Sequence, residues 1–239
     1  MELDSGYFNA WYGRGMVLGE LGKYQDALDS YDTALELDLG NVNVWYGKGV
    51  VFQKLRNYSD AIECYDKALE LDPKYVNAWY GRGLSLAELS NYQEAIDSYG
   101  KVLELDPKYV SAWFGKGVVL QMIGNHIDAI KSFDKALKLK PNEIKVWNNK
   151  GSSLAMLGEY HEAIESYNRA LELDPKNVSM WNNKGFVHRM FERYQKSLEC
   201  FNKSLEIDKF NNDTWFQKGC TLISLGRYPE ALQSLNMGS

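Results

Sequence analysis

The seven tryptophans of the chain, Trp11, Trp45, Trp79, Trp113, Trp147, Trp181 and Trp215, are each separated from the next by 34 residues. Four residues after each stands a glycine: Gly15, Gly49, Gly83, Gly117, Gly151, Gly185 and Gly219. A fixed period of this length, kept without insertion or deletion, marks a stack of similar units in which each contacts only its neighbours. It overrides the one or two compact domains that 239 residues would otherwise suggest. With 45% apolar residues such a stack can bury a core, and that core runs along the array.

With the tryptophan set at position 4, the repeats span 8–41, 42–75, 76–109, 110–143, 144–177, 178–211 and a truncated 212–239. Residues 1–7 remain. Glu2-Leu3-Asp4-Ser5-Gly6-Tyr7 resembles Glu104-Leu105-Asp106-Pro107-Lys108-Tyr109, so the start reads as the tail of a preceding repeat. Within 76–109, Trp79, Gly83, Leu86 and Leu89 form one stripe at helical spacing, and Asn77, Tyr80, Leu84 and Ala87 form a second. A helix with two useful faces is expected, ending at Ser90-Asn91. Elsewhere that end carries Gly22, Gly124, Gly158 or Gly226, suited to the left-handed conformation that closes helices. A second helix then places Tyr92, Ala95, Ile96, Tyr99, Val102 and Leu103 on one side and stops at Asp106-Pro107, since proline cannot continue a helix interior. Each unit is thus a helical hairpin. Alanine at position 20 (Ser197 in repeat six) lets neighbouring helices approach closely around the aromatic rings.

The pattern resembles the tetratricopeptide repeat family. In repeat two it is carried by Trp45, Gly49, Ala61, Tyr65, Ala68 and Pro73 at positions 4, 8, 20, 24, 27 and 32. The resemblance covers residues 8–239. It implies an all-α fold, a right-handed superhelical solenoid of antiparallel helix hairpins, with a concave groove that binds peptides or proteins. In the family, positions 2, 5, 9 and 12 of the first helix face that groove. Here they give Asn9, Tyr12 and Met16, then Asn43, Tyr46, Val50 and Gln53, then Asn77, Tyr80 and Leu84, then Ser111, Phe114, Val118 and Gln121. That is an aromatic and apolar strip edged by amides. Beside each ring lies a glycine at position 6: Gly13, Gly47, Gly81 and Gly115. Glycine inside a helix costs about 1 kcal/mol against alanine, so either something must approach closely there or one ancestral repeat was copied. Repeats five and six instead offer amides, Asn148, Asn149, Asn182 and Asn183. No repeat has lysine at position 5 or asparagine at position 9, so the carboxylate clamp of the chaperone-binding members is not expected.

Several positions depart from the family pattern. Position 7 is basic throughout: Arg14, Lys48, Arg82, Lys116, Lys150, Lys184 and Lys218. These are expected to pair with Asp38, Asp72 and Asp106, the acids that end the preceding repeats. Position 32 is Leu39 in repeat one and Lys209 in repeat six, and repeat six also carries Ser197, Ser204 and His188 in place of small or apolar residues.

No catalytic constellation, cofactor site or metal site is expected. Gly13-Arg14-Gly15 and its copies lie inside a helix with no preceding strand, so they are packing glycines and not a nucleotide loop. His126, His161 and His188 occupy different repeat positions, form no ligand set, and are each expected to be partly buried. The periodic carboxylates make no unique pair. Cys64, Cys200 and Cys220 share no metal-ligand spacing and read as reduced thiols. A net charge of −5 without a basic block argues against nucleic acid and membrane surfaces, and with no leader or long apolar run a cytoplasmic location is expected. The reading is a peptide- or protein-binding scaffold and not an enzyme. Its alternative is a structural, self-associating segment of a larger protein, because Leu232 and Leu235 in the cut last hairpin would favour end-to-end association.

Overall fold

The computed structural model describes residues 5–238, with side chains from Tyr7 onward. Fourteen α-helices account for the architecture among these residues, and their order is strictly paired. They are α1 Ser5–Glu20, α2 Tyr24–Leu37, α3 Val42–Lys54, α4 Tyr58–Leu71, α5 Val76–Glu88, α6 Tyr92–Leu105 and α7 Val110–Met122. The rest are α8 His126–Leu139, α9 Ile144–Met156, α10 Tyr160–Leu173, α11 Val178–Met190, α12 Tyr194–Ile207, α13 Asn212–Ser224 and α14 Tyr228–Met237. The chain forms two compact units, one ending at Val119 and the other starting at Leu120. In the first, α1/α2, α3/α4 and α5/α6 are the hairpins, and in the second α9/α10, α11/α12 and α13/α14. Of the leading segment, residues 1–4 lie outside the described residues, and Ser5-Gly6-Tyr7 form the first turn of α1.

Every first helix closes the same way. Residue 15 of each repeat adopts positive φ: Gly22, Gly124, Gly158 and Gly226, but also Arg56 (58°), Ser90 (63°) and Glu192 (56°). The left-handed residue frees the next N–H to reach back, as Asn91 N does to Leu86 O at 2.9 Å. The second turn is pinned by the tryptophans. Trp79 Nε1 donates to Pro73 O at 2.9 Å, and Trp147 Nε1 to Pro141 O at 2.8 Å. Trp45 reaches Leu39 O at 3.0 Å and Trp215 reaches Lys209 O at 2.9 Å, so the bond needs only a carbonyl. Position 32 can therefore lose its proline without losing the turn.

Ala27, Ala61, Ala95, Ala129 and Ala163 are fully buried, as are Tyr65, Phe133 and Phe201 of the aromatic row at position 24. Glycine at position 8 makes room for that row: a Cβ on Gly15 would stand 2.7 Å from the Tyr31 ring, and one on Gly49 2.7 Å from Tyr65. The packing-glycine expectation holds. Two buried hydroxyl pairs join repeat six to repeat seven. Ser197 Oγ lies 3.2 Å from Thr221 Oγ1, and Ser204 Oγ 3.1 Å from Thr214 Oγ1, all four residues being fully buried.

Candidate functional site

The first helices of successive hairpins touch: α1 with α3 and α3 with α5 in the first unit, α9 with α11 and α11 with α13 in the second. In the first unit the position-5 rings are half-buried, and each leans on the buried ring of its own hairpin. Tyr12 meets Tyr31 at 6.3 Å between centroids, Tyr46 meets Tyr65 at 6.0 Å, and Tyr80 meets Tyr99 at 5.9 Å. Two tyrosines of the linking turns widen the row: Tyr75 meets Tyr46 edge-on at 5.3 Å, and Tyr109 meets Tyr80 at 5.1 Å. Tyr75 Oη donates to Asn43 Oδ1 at 3.1 Å. The hydroxyls are neighbours as well as the rings. Burial raises the Tyr46 pKa, with Tyr75 and Tyr109 adding to it; burial raises that of Tyr75, with Tyr12 adding. Asn9, Asn43 and Asn77 are exposed beside this row, while Val50, Leu84, Phe114 and Val118 are half-buried. Tyr75 and Tyr109 were not singled out from the sequence. Their signal is position 34, which is tyrosine in repeats two and three, next to the helix they support.

The glycines at position 6 do not wait for a ligand. A Cβ on Gly47 would stand 2.8 Å from Tyr31 Oη, one on Gly81 2.5 Å from Tyr65 Cζ, and one on Gly115 2.8 Å from Tyr99 Cζ. The close approach is that of the preceding repeat's core tyrosine. Gly13, in the first repeat, meets nothing within 4 Å.

In the second unit Asn148, Asn149, Asn182 and Asn183 are half-buried and partly engaged. Asn183 Nδ2 donates to Asn148 Oδ1 at 2.9 Å, and Asn149 Nδ2 donates to Lys145 O at 2.8 Å. Asn182 Oδ1 accepts from Thr214 Oγ1 at 2.8 Å. An amide has a carbonyl with two lone pairs and two N–H donors, so each keeps capacity beyond these bonds.

The basic row has different partners from those expected. Lys48 pairs with Asp32, Arg82 with Asp66 at 2.7 Å and Glu94 at 3.7 Å, and Lys150 with Asp134 at 2.6 Å. The aspartate is residue 25 of the preceding repeat, one helical turn before the hairpin ends. Asp38, Asp72 and Asp106 are occupied by the linking turns, accepting from Gly40 N, Lys74 N and Lys108 N at 2.9–3.0 Å. Arg14, Lys48, Arg82, Lys150, Lys184 and Lys218 also lie over their own tryptophans, as Lys150 does over Trp147 at 5.3 Å and Lys184 over Trp181 at 5.0 Å.

Of the histidines, His126 is half-buried and His188 is 5% exposed, but His161 is exposed. It rests edge-on against Phe191 at 4.7 Å, with Nε2 3.3 Å from Arg193 Nη2. Among the described residues no group of three or more His, Cys, Asp or Glu side chains could hold a metal, and no helix is long and apolar enough to cross a membrane.

One tetratricopeptide repeat model matches residues 8–41, 42–75, 76–109, 110–143 and 144–177; two further models of the same repeat match 178–211 and 200–233. The chain belongs to the tetratricopeptide repeat family. No curated protein sequence matches it. Among solved structures it is similar to YrrB, a tetratricopeptide repeat (TPR) protein with an unusual peptide-binding site, at 25% identity and a TM-score of 0.67, covering 75% of this chain and 92% of that one. It is similar to MamA at 25% identity and a TM-score of 0.68, covering 73% of this chain and 96% of that one. A tetratricopeptide repeat protein from Parabacteroides merdae shares the fold over 98% of this chain and 92% of its own, with a TM-score of 0.75 at 15% identity. The tetratricopeptide hairpin accounts for the tryptophan, glycine, alanine and aromatic positions at once.

Proposed function

We propose that the chain is a non-catalytic scaffold that holds a peptide or protein segment against the tyrosine-lined face of α1, α3 and α5. The observation that carries this is the support given to the rings. Tyr46 is held between Tyr65 and Tyr75, and Tyr80 between Tyr99 and Tyr109, each at centroid distances of 5.1–6.0 Å. A half-buried ring fixed by its neighbours loses little rotamer freedom on binding while offering a large apolar face and a hydroxyl, which is why tyrosine dominates binding hot spots. The exposed Asn9, Asn43 and Asn77 stand where an extended segment's backbone would need donors and acceptors. The fold shared with YrrB, a protein with a peptide-binding site, supports the same use.

In the second unit the free amide capacity of Asn148, Asn149, Asn182 and Asn183 suits a polar stretch of ligand read through its backbone. Each such hydrogen bond contributes about 0.5–1.5 kcal/mol net.

The test is selection of binders from a random peptide display library on the intact chain. Selected peptides should share an aromatic or aliphatic anchor. They should lose affinity by about tenfold or more on Tyr46→Ala or Tyr80→Ala and keep it on Tyr160→Ala, a ring outside the row. Peptides that bind all three variants alike would remove the row from the binding surface.

A further inference from the structure

Charge varies along the array more than the core does: residue 25 is aspartate in repeats one, two and four but Gly100, Asn168 and Asn202 in repeats three, five and six, and two cavities at equivalent places in repeats two and six differ in the sign of their lining. Between α3 and α4 a cavity of about 470 Å³ is lined by Trp45, Lys48, Phe52 and Cys64, with two cations in total and four carboxylates, Asp60, Glu63, Asp66 and Glu70. Its counterpart four repeats on, walled by α10, α11 and α12, is larger, about 660 Å³. There Lys196 replaces Asp60, Asn202 replaces Asp66, and His188 replaces Phe52. With Arg193 at the rim the count inverts to four cations, Lys184, Arg193, Lys196 and Lys203, against two carboxylates, Glu199 and Glu206.

The pairing of the cations changes with the count. Lys48, Arg82 and Lys150 each hold the residue-25 aspartate of the preceding repeat. For Lys184 that residue is Asn168, which lines the same cavity and cannot neutralise it. Among the described residues no carboxylate lies within ion-pairing distance of Lys184, Lys196 or Arg193, while Lys203 is engaged by Glu206 at 2.7 Å. The inner wall adds an independent sign. His188 is 5% exposed, and its Nδ1 is buried without a hydrogen-bond partner, where the other repeats place an apolar side chain. A buried polar atom without a partner is costly in a core that gains nothing from it. Trp181 and Ile164 supply an apolar wall beside the cations.

We propose that this cavity in repeat six is a binding site for a small organic anion carrying two or more negative charges, a carboxylate or phosphoryl compound. The excess of two positive charges sets the charge of the ligand, and the volume admits a molecule rather than a single ion. The site is distinct from the tyrosine row, which lies in the other unit. It gives this scaffold a low-molecular-weight ligand as well as a protein one.

His188 reports occupancy. Burial, then Lys184, Lys196 and Arg193, hold its imidazole down at about 4, with Glu199, Glu206, Lys203 and Cys200 also lining the cavity. A bound anion relieves that repulsion, so the imidazole pKa must rise. The experiment titrates the intact chain with citrate and with pyrophosphate at constant ionic strength, following the three histidine ring resonances by NMR and assigning His188 with His188→Leu. Saturable movement of the His188 signal, with its pKa raised by about one unit and His126 unmoved, is expected with at least one anion; the tighter binder names the acid group. Asn168→Asp restores the aspartate found before Lys48, Arg82 and Lys150, so it keeps the fold and should weaken binding by about tenfold. Lys196→Asp, the residue of repeat two, should do the same. No saturable shift at millimolar anion, or an Asn168→Asp protein that binds as tightly as the parent, overturns the site.

Discussion

Tyr65 lies over Gly81 of the next repeat so closely that a Cβ on that glycine would stand 2.5 Å from Tyr65 Cζ. Tyr65 is fully buried and cannot swing away without opening the core. Gly81→Ala should therefore destabilise by about 1–3 kcal/mol through overpacking, against the gain of about 1 kcal/mol that alanine brings to a helix. Gly13→Ala, at the same repeat position with nothing within 4 Å, should show the gain alone. Urea unfolding of the two variants gives opposite signs on this account; equal signs contradict it.

The left-handed residues that close α3, α5 and α11 are Arg56, Ser90 and Glu192, where other repeats use glycine. A non-glycine residue in that region carries about 1–2 kcal/mol of steric cost. Glu192→Gly should raise stability by about 1 kcal/mol, less the extra chain entropy that glycine brings to the unfolded state. A calorimetric Tm that falls for Glu192→Gly while rising for Ser90→Gly would show that the Glu192 side chain holds its turn.

Ser197 and Thr221 form a buried hydroxyl pair at 3.2 Å. Thr221→Val leaves Ser197 unsatisfied and should cost about 1–3 kcal/mol. The double change Ser197→Ala with Thr221→Val restores the alanine and valine found at these places as Ala27 and Val51, Ala95 and Val119, and Ala163 and Val187, and should recover most of it. A double variant no better than the sum of its singles would mean that the two side chains do not interact.

The fold was legible in the sequence because repetition averages out local ambiguity: seven copies of Trp and Gly, with six of Ala at position 20, fix the hairpin. The turn at position 32 was legible only in part. Leu39 and Lys209 look like defects until the tryptophan N–H is seen to use the carbonyl, which every residue has. The partners of Lys48 and Arg82 were misjudged for a geometric reason: Asp38 and Asp72 are near in sequence but already committed to turn amides, while Asp32 and Asp66 face the next helix. The candidate site was legible at position 5 and missed at position 34, since Tyr75 and Tyr109 matter through contacts with Tyr46 and Tyr80 that no single repeat displays.

The pH dependence has a defined sign. His188 is held down from its ordinary value near 6.5 to about 4 in the fold. Between these values the unfolded chain binds the proton that the folded chain refuses. Its contribution to stability is complete above about 6.5 and is lost as pH falls toward 4, with a slope of at most about 1.4 kcal/mol per pH unit. Denaturant unfolding at pH 7 and pH 4.5 should show a smaller difference for His188→Leu than for the parent. The same difference in both proteins would contradict a depressed His188.

Site-resolved cross-linking locates a bound ligand on the chain. A display-selected peptide carrying a benzophenone beside its anchor is irradiated with the intact chain, and the adducts are mapped by mass spectrometry. A ligand on the tyrosine row requires adducts on α1, α3 and α5, at or beside Asn43, Tyr46, Tyr75, Asn77 and Tyr80. Adducts confined to α2, α4 and α6, or to the second unit alone, would contradict it.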